Sequence, residues 1–341
     1  MGGKVIFTEK PRHSIDNIFG RDIEIETIKK IIENNDWLSI LGPRMIGKTS
    51  IALSILNYYS HRNYQTSYVD LRGSRNARDF FTALYQNIPK NYIEKIKDNL
   101  SYFGITIAGS GIQFKAKNEP VKAIDYVLKN INDKKIIIVF DEFQEIVTGI
   151  NYIMNTLHTI MMKNDNLIFI FTGSSIGILK TLLDQNGSSP LAGRNPVKIV
   201  LKPWSKEIAK SYLLSGLKNC NTDANDVDGV IENLGTLTGW LNFYGERKCL
   251  GMENALSESM NEAISVAKTE LKSVINRTQW RKKALKMMAY GSTYTEMLKE
   301  LKVSTSTLAN FLDRMERLYL IEKNGRNYII TDNIYKKAIL Q

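Results

Sequence analysis

The residues with the most chemistry in the chain are Gly42-Pro43-Arg44-Met45-Ile46-Gly47-Lys48-Thr49, a G-x-x-x-x-G-K-T run followed by Ser50. Glycines at both ends let backbone N–H groups turn inward around an anion, and a helix beginning at the end of the run adds a partial positive charge. Lys48 is placed to reach the outer phosphates of a nucleoside triphosphate, Thr49 to give its hydroxyl to Mg²⁺, and Ser50 to sit beside the α-phosphate. The second cluster is Asp141-Glu142-Phe143-Gln144-Glu145. Asp141 suits Mg²⁺ through its water shell, and Glu142 suits a general base that polarises the attacking water. The same two carboxylates also suit capping of a helix from Phe143 to Val147. An adjacent second acid argues against transfer of phosphate to a small molecule, where no water has to be activated.

Both clusters need elements that present them. Trp37-Leu38-Ser39-Ile40-Leu41 reads as a buried strand feeding the first, and Ser50 to Tyr59 reads as the buried helix leaving it. Ile136-Ile137-Ile138-Val139-Phe140 is a largely β-branched run with both faces apolar, as in a parallel sheet, and it ends at Asp141. A third strand, Asn166 to Phe171, ends in Thr172-Gly173-Ser174-Ser175. Ser174 could stand between water and γ-phosphate, although Gly and Ser also end strands as plain turn residues. Thr66 to Asp70 and Val197 to Leu201 complete five strands, predicting a parallel sheet covered by helices on both faces. Ile105 to Ala108 and Ile112 to Phe114, joined by Gly109-Ser110-Gly111, predict a hairpin inserted in this core, with no function assigned.

Composition narrows the classes. A chain of 341 residues with 43% hydrophobic and 24% charged residues has material for two or three compact units and is not a disordered chain. The longest apolar runs are five residues, so no membrane partner is expected, and with no secretory pattern near Met1 the expected location is the cytoplasm. Cys220 and Cys249 show no metal spacing and are expected as reduced thiols, and His13, His61 and His158 are scattered. The net charge is +11, and residues 271 to 341 hold 14 Lys or Arg against 6 Asp or Glu. Such a segment fits a polyanion as well as a solvated surface.

Taken in order, these residues resemble the archaeal P-loop ATPases of the AAA+/STAND class, from about Phe19 to the C-terminus. Ile18-Phe19-Gly20-Arg21-Asp22-Ile23-Glu24 resembles that family's F-x-G-R-x-x-E motif, which implies that Phe19, Gly20 and Arg21 pack beside adenine. Gly42 to Thr49 resembles its G-x-R-x-x-G-K-T loop, Asp141 to Glu145 its D-E-x-Q-E, Gly173-Ser174-Ser175 its G-S strand tip, and Ser189 to Arg194 its S-P-L-x-G-R. The resemblance implies a sensor role for Ser174 and an arginine that reaches γ-phosphate, with Arg194 as first candidate and Arg44 as the alternative. Arg194 is equally suited to holding its loop through carbonyls or a carboxylate. The family's Gly-x-Pro in the lid is not kept, and Thr238 stands where proline is expected.

Beyond Leu201-Lys202-Pro203-Trp204-Ser205, helical patterns over Ile208 to Leu217, Val227 to Leu237 and Ala255 to Val274 predict a helical lid. Trp280 to Tyr290, Tyr294 to Leu301 and Ser304 to Leu318 predict three further helices, then strands flank Asn324-Gly325-Arg326. That is a helix-turn-helix with a hairpin wing, which would turn Thr305, Thr307, Asn310 and Arg314 toward DNA bases or phosphates, with Arg326 on the wing. The expected architecture is therefore α/β: a P-loop ATPase core over 1–202, a helical lid over 203–275 and a winged helix over 276–341. The expected function is an ATPase switch using ATP and Mg²⁺, its nucleotide state coupled to lid and winged-helix position. Double-stranded DNA through residues 276–341, a protein partner and self-association are the partner classes. The alternative is a nucleotide-gated DNA-binding regulator with negligible turnover.

Overall fold

The apolar runs become strands whose side chains alternate between two cores. In the computed structural model, which describes residues 7–109, 111–115, 119–132, 134–173, 196–275 and 278–341, α1 (Asp22–Glu33) leads into β1 (Leu38–Leu41) and α2 (Lys48–Ser60). Next come β2 (Gln65–Asp70), α3 (Ala77–Asn87), α4 (Lys90–Ile96) and the hairpin β3 (Ile105–Ala108) and β4 (Gly111–Phe114). Then α5 (Pro120–Lys129), β5 (Ile136–Asp141), α6 (Ile150–Met161), β6 (Leu167–Gly173) and β7 (Val197–Val200) complete a parallel sheet ordered β2-β5-β6-β1-β7. Every residue of β1, β5 and β6 is buried, whereas edge strands β2 and β7 are partly exposed, which explains why the central strands read as unbroken apolar runs. Ile137, Val139, Ile168 and Ile170 join the core beneath α1 and α2, while Ile136, Ile138, Phe169 and Phe171 join the core beneath α3 to α6.

After the sheet, α7 (Lys206–Asn219), α8 (Val227–Leu234), α9 (Thr238–Cys249) and the long α10 (Ala255–Ile275) pack together. Two expectations change here. The helix expected to run to Leu237 stops at Leu234, because Gly235 leaves the helix at φ 79°. Helix α9 had no visible stripe because Trp240 to Gly245 are buried consecutively, so the segment is wrapped on all sides.

Missing α9 also hid the chemistry of the cysteines. Cys220 follows α7, Cys249 ends α9, and the two form a disulfide across these packed helices rather than the expected reduced thiols. The remaining elements are α11 (Gln279–Tyr290), β8 (Ser292–Thr293), α12 (Tyr294–Leu301), α13 (Thr305–Arg317), β9 (Ile321–Asn324), β10 (Asn327–Ile330) and α14 (Asn333–Leu340). Ser304 caps α13 through the Thr307 N–H, and Gly325-Arg326 turns β9 into β10, which also pairs with β8. Leu308, Phe311, Leu312 and Met315 are buried, whereas Thr305, Thr307, Asn310, Arg314 and Arg326 are exposed. Helix α14, unanticipated, folds back onto α10 and α11. Among the described residues no helix is long and apolar enough to cross a membrane.

Candidate nucleotide site

Sheet order makes the site. Strand β1 lies beside β6, and β6 beside β5, so the loop after β1 and the residues ending β5 and β6 meet at one edge where chain direction across the sheet reverses. The loop from Gly42 turns at Met45 (φ 62°) and Gly47 (φ 99°), and Gly47 caps the 13-residue α2. A side chain at Gly47 would meet nothing within 4 Å, so only its left-handed backbone demands glycine there. The N–H groups of the first turn of α2 face a cleft of about 490 Å³, a size that suits a nucleotide.

Arg44 through Ser50 line this cleft, with Phe19, Arg21 and Glu142. Lys48 is 5% exposed, and its ammonium donates to the Gly42 and Pro43 carbonyls at 3.0 and 2.9 Å. Desolvation, partly offset by Glu142 and Asp141, pushes its pKa down to about 8. The lysine is thus a buried cation resting on neutral carbonyls, which an anion in the cleft would stabilise. Pro43 itself lies in the wall of a second cavity, of about 720 Å³.

Beneath the loop, Thr49 Oγ1 donates to Asp141 Oδ2 at 3.0 Å, and the Tyr68 hydroxyl donates to the same oxygen at 2.6 Å. Thr172 Oγ1 donates to Asp141 Oδ1 and accepts the Glu142 N–H at 3.1 Å. Thr49 and Asp141 are adjacent hard oxygen donors, a set that fits Mg²⁺ completed by water and phosphate oxygens. Glu142 sits in the left-handed region at φ 54° without capping the short 3₁₀ turn Phe143–Glu145, and Gln144 Nε2 donates to its carboxylate. Strained backbone at a non-glycine residue facing a cleft marks a position fixed for more than packing.

On the opposite side, the Phe19 ring lies 5.3 Å from Tyr212 and 6.1 Å from Trp204, while the Arg21 guanidinium donates to the Lys202 carbonyl, pairs with Glu24 and faces the Trp204 ring. At Gly20, a Cβ would fall 2.9 Å from Ile208 of α7. Thr238 occupies the first position of α9, where proline's missing N–H would cost nothing, so threonine keeps the helix start. The next residue, Gly239, donates to the Met45 carbonyl at 2.8 Å, and a Cβ there would come within 2.5 Å of the Met45 side chain, so α9 docks directly on the loop.

Several site residues escaped the sequence reading. Arg44 pairs with Glu270 of α10 at 3.0 Å, and Glu270 also accepts the Tyr335 hydroxyl of α14. Burial opposes the Arg44 charge, but Glu270 outweighs it and raises the pKa. Both residues line the cleft and the second cavity alike, so their ion pair stands between the two. Thr172 had a signal, its place beside Asp141 at the tip of a neighbouring strand; Tyr68, Tyr212, Glu270 and Asn242, which also lines the cleft, had none, being distant in sequence. Ser174 and Arg194 lie outside the described residues.

No curated protein matches the chain. Among solved structures it is similar to the Walker-type ATPase of Pyrococcus abyssi, at 21% identity and a TM-score of 0.77 over 98% of this chain and 99% of that one. It is also similar to the ORC2 protein of Aeropyrum pernix in its ADPNP-ADP complexes, at 11% identity and 0.59 over 97% and 96%, and to Cdc6p of Pyrobaculum aerophilum, at 11% and 0.53 over 97% and 96%. At these identities the likeness shows the fold alone, a P-loop ATPase fold with a parallel sheet core. Residues 18–239 match the model of an ATPase domain predominantly from Archaea, and the chain belongs to that family of P-loop ATPases.

Proposed function

We propose that the chain is an ATP-binding, Mg²⁺-dependent ATPase whose nucleotide state is passed to its C-terminal helices. The observation that carries this reading is the meeting of Lys48, Thr49, Asp141 and Glu142 at the tips of β1 and β5. Phosphates seat against the N-terminus of α2, and Lys48 exchanges two carbonyl partners for charge-assisted bonds to phosphate oxygens. Thr49 and Asp141 would hold Mg²⁺, which when bound supplies charge neutralisation at the phosphates. Glu142, its backbone pinned by Thr172, takes a proton from the attacking water as its carboxylate leaves Gln144. From the sequence, Ser174 and Arg194 are the candidates to contact water and γ-phosphate. The test is Mg²⁺-dependent phosphate release from ATP by the full chain; bound ATP with no release in any condition would overturn hydrolysis.

Coupling runs through Arg44. A γ-phosphate that draws Arg44 away from Glu270 alters the contact that Glu270 makes to Tyr335, so ATP and ADP differ in what they do to α14. In this reading residues 1–202 form the ATPase core, 203–275 the lid and 276–341 a winged helix. The exposure of Thr305, Thr307, Asn310 and Arg326 favours a second reading, a nucleotide-gated regulator that binds duplex DNA through α13 and the β9–β10 turn and turns over negligibly. Its affinity for duplex DNA should fall steeply with salt.

A further inference from the structure

The aromatic end of the cleft contains a relay whose proton directions are fixed. The Arg12 guanidinium has only donors, and its Nη2 donates to the Tyr212 hydroxyl at 2.8 Å. The single hydrogen of that hydroxyl therefore goes onward, to Asn242 Oδ1 at 2.5 Å. Burial raises the Tyr212 pKa, so the hydroxyl keeps its proton. With its oxygen assigned as the acceptor, Asn242 must present Nδ2, a group with two donors and no acceptor among the described residues. Asn242 lines the cleft though only 8% exposed, and it lies less than one helical turn beyond Gly239, the residue bonded to the phosphate-binding loop. Tyr212 packs 4.9 Å from Trp204 and 5.3 Å from Phe19, so Asn242 belongs to the aromatic end and not to the phosphate end.

We infer that Asn242 reads the nucleobase, donating its Nδ2 hydrogen to a ring nitrogen of a purine stacked at the aromatic end, with Arg12 and Tyr212 as the residues that hold the amide in that orientation. This rests on the nucleotide reading above. Asn242→Asp is the sharpest variant, because shape and the Tyr212 bond persist while the donor becomes an acceptor. Equilibrium binding to the full chain would be measured for ATP, inorganic tripolyphosphate, and the 1-, 3- and 7-deaza analogues of ATP. Wild type is expected to bind one deaza analogue roughly tenfold more weakly than ATP, and Asn242→Asp to lose roughly the same factor for ATP and nothing further for that analogue. Tripolyphosphate should be held by both proteins within about twofold, since its contacts lie elsewhere. Tyr212→Phe adds no charge, frees the amide to rotate and should give a smaller loss for ATP alone. Equal losses for ATP and tripolyphosphate, or deaza analogues that all behave as ATP does, would overturn the inference. Wild type that binds neither ATP nor tripolyphosphate would instead overturn the nucleotide site itself.

Discussion

Breaking the Cys220–Cys249 bond probes what keeps the helical segment beside the nucleotide cleft. The cysteines are 29 residues apart in sequence, with Cα atoms 5.7 Å apart. Closing a loop of that size removes denatured-chain entropy worth about 3.6 kcal/mol at room temperature, so reduction should lower stability by about 3–4 kcal/mol. The loss has a local address. Gly216 and Gly245 stand one turn before the two cysteines, on α7 and α9, and the Phe7 ring fills the slot between them; a Cβ at either glycine would fall 2.1 or 2.2 Å from ring atoms. Loosening the two helices should unseat Phe7 and free Thr8 to Arg12, which wall the cleft. Urea denaturation would compare oxidised wild type, reduced wild type and the Cys220→Ser/Cys249→Ser double variant, with tryptic cleavage after Arg12 timed in parallel. Reduced wild type and the variant should match each other, unfold at lower urea than the oxidised protein and be cut faster. Equal stability in all three, or two titratable thiols in unreduced denatured protein, would refute the reasoning.

Burial pushes Asp332, the cap of α14, up to about 6, so the folded state holds its proton more tightly than the unfolded chain and this group's contribution to stability falls as pH rises from about 4 to 6. Asp332→Asn keeps a capping oxygen but loses an acceptor for Trp240 Nε1, so it should stabilise at neutral pH by about 1–2 kcal/mol and by nothing near pH 4, read from thermal unfolding across pH. Glu270→Gln should cost no more than about 1 kcal/mol, since Arg44 is half exposed, yet abolish the ATP-dependent change in amide exchange of α14 predicted for wild type. Exchange that still responds to ATP would break the proposed link. Lys48→Ala should weaken ATP binding by roughly a hundredfold or more without lowering the melting temperature, because it removes a desolvated cation.

What the sequence disclosed follows from where the information lies. The phosphate-binding loop and the β5 carboxylates are local patterns, each a short run whose spacing already encodes strand, turn and helix, and the structure brings them to one edge of the sheet. The central strands were legible because burial on both faces leaves no polar positions. Helix α9 was illegible for the same reason: six consecutive buried residues erase the period that marks a helix, and with it went Asn242 and the disulfide. The Arg44–Glu270–Tyr335 and Arg12–Tyr212–Asn242 chains join residues dozens to hundreds of positions apart, and no local pattern announces such pairs.

The central claim is that Glu142 activates water at this site, and Glu142→Gln tests it most directly. Wild type and variant would be compared for ATP affinity and for Mg²⁺-dependent phosphate release. The account predicts ATP binding within about twofold of wild type and release lowered by roughly a hundredfold or more, because the phosphate contacts persist while the base is gone. Release at the wild-type rate with Glu142 replaced would contradict it.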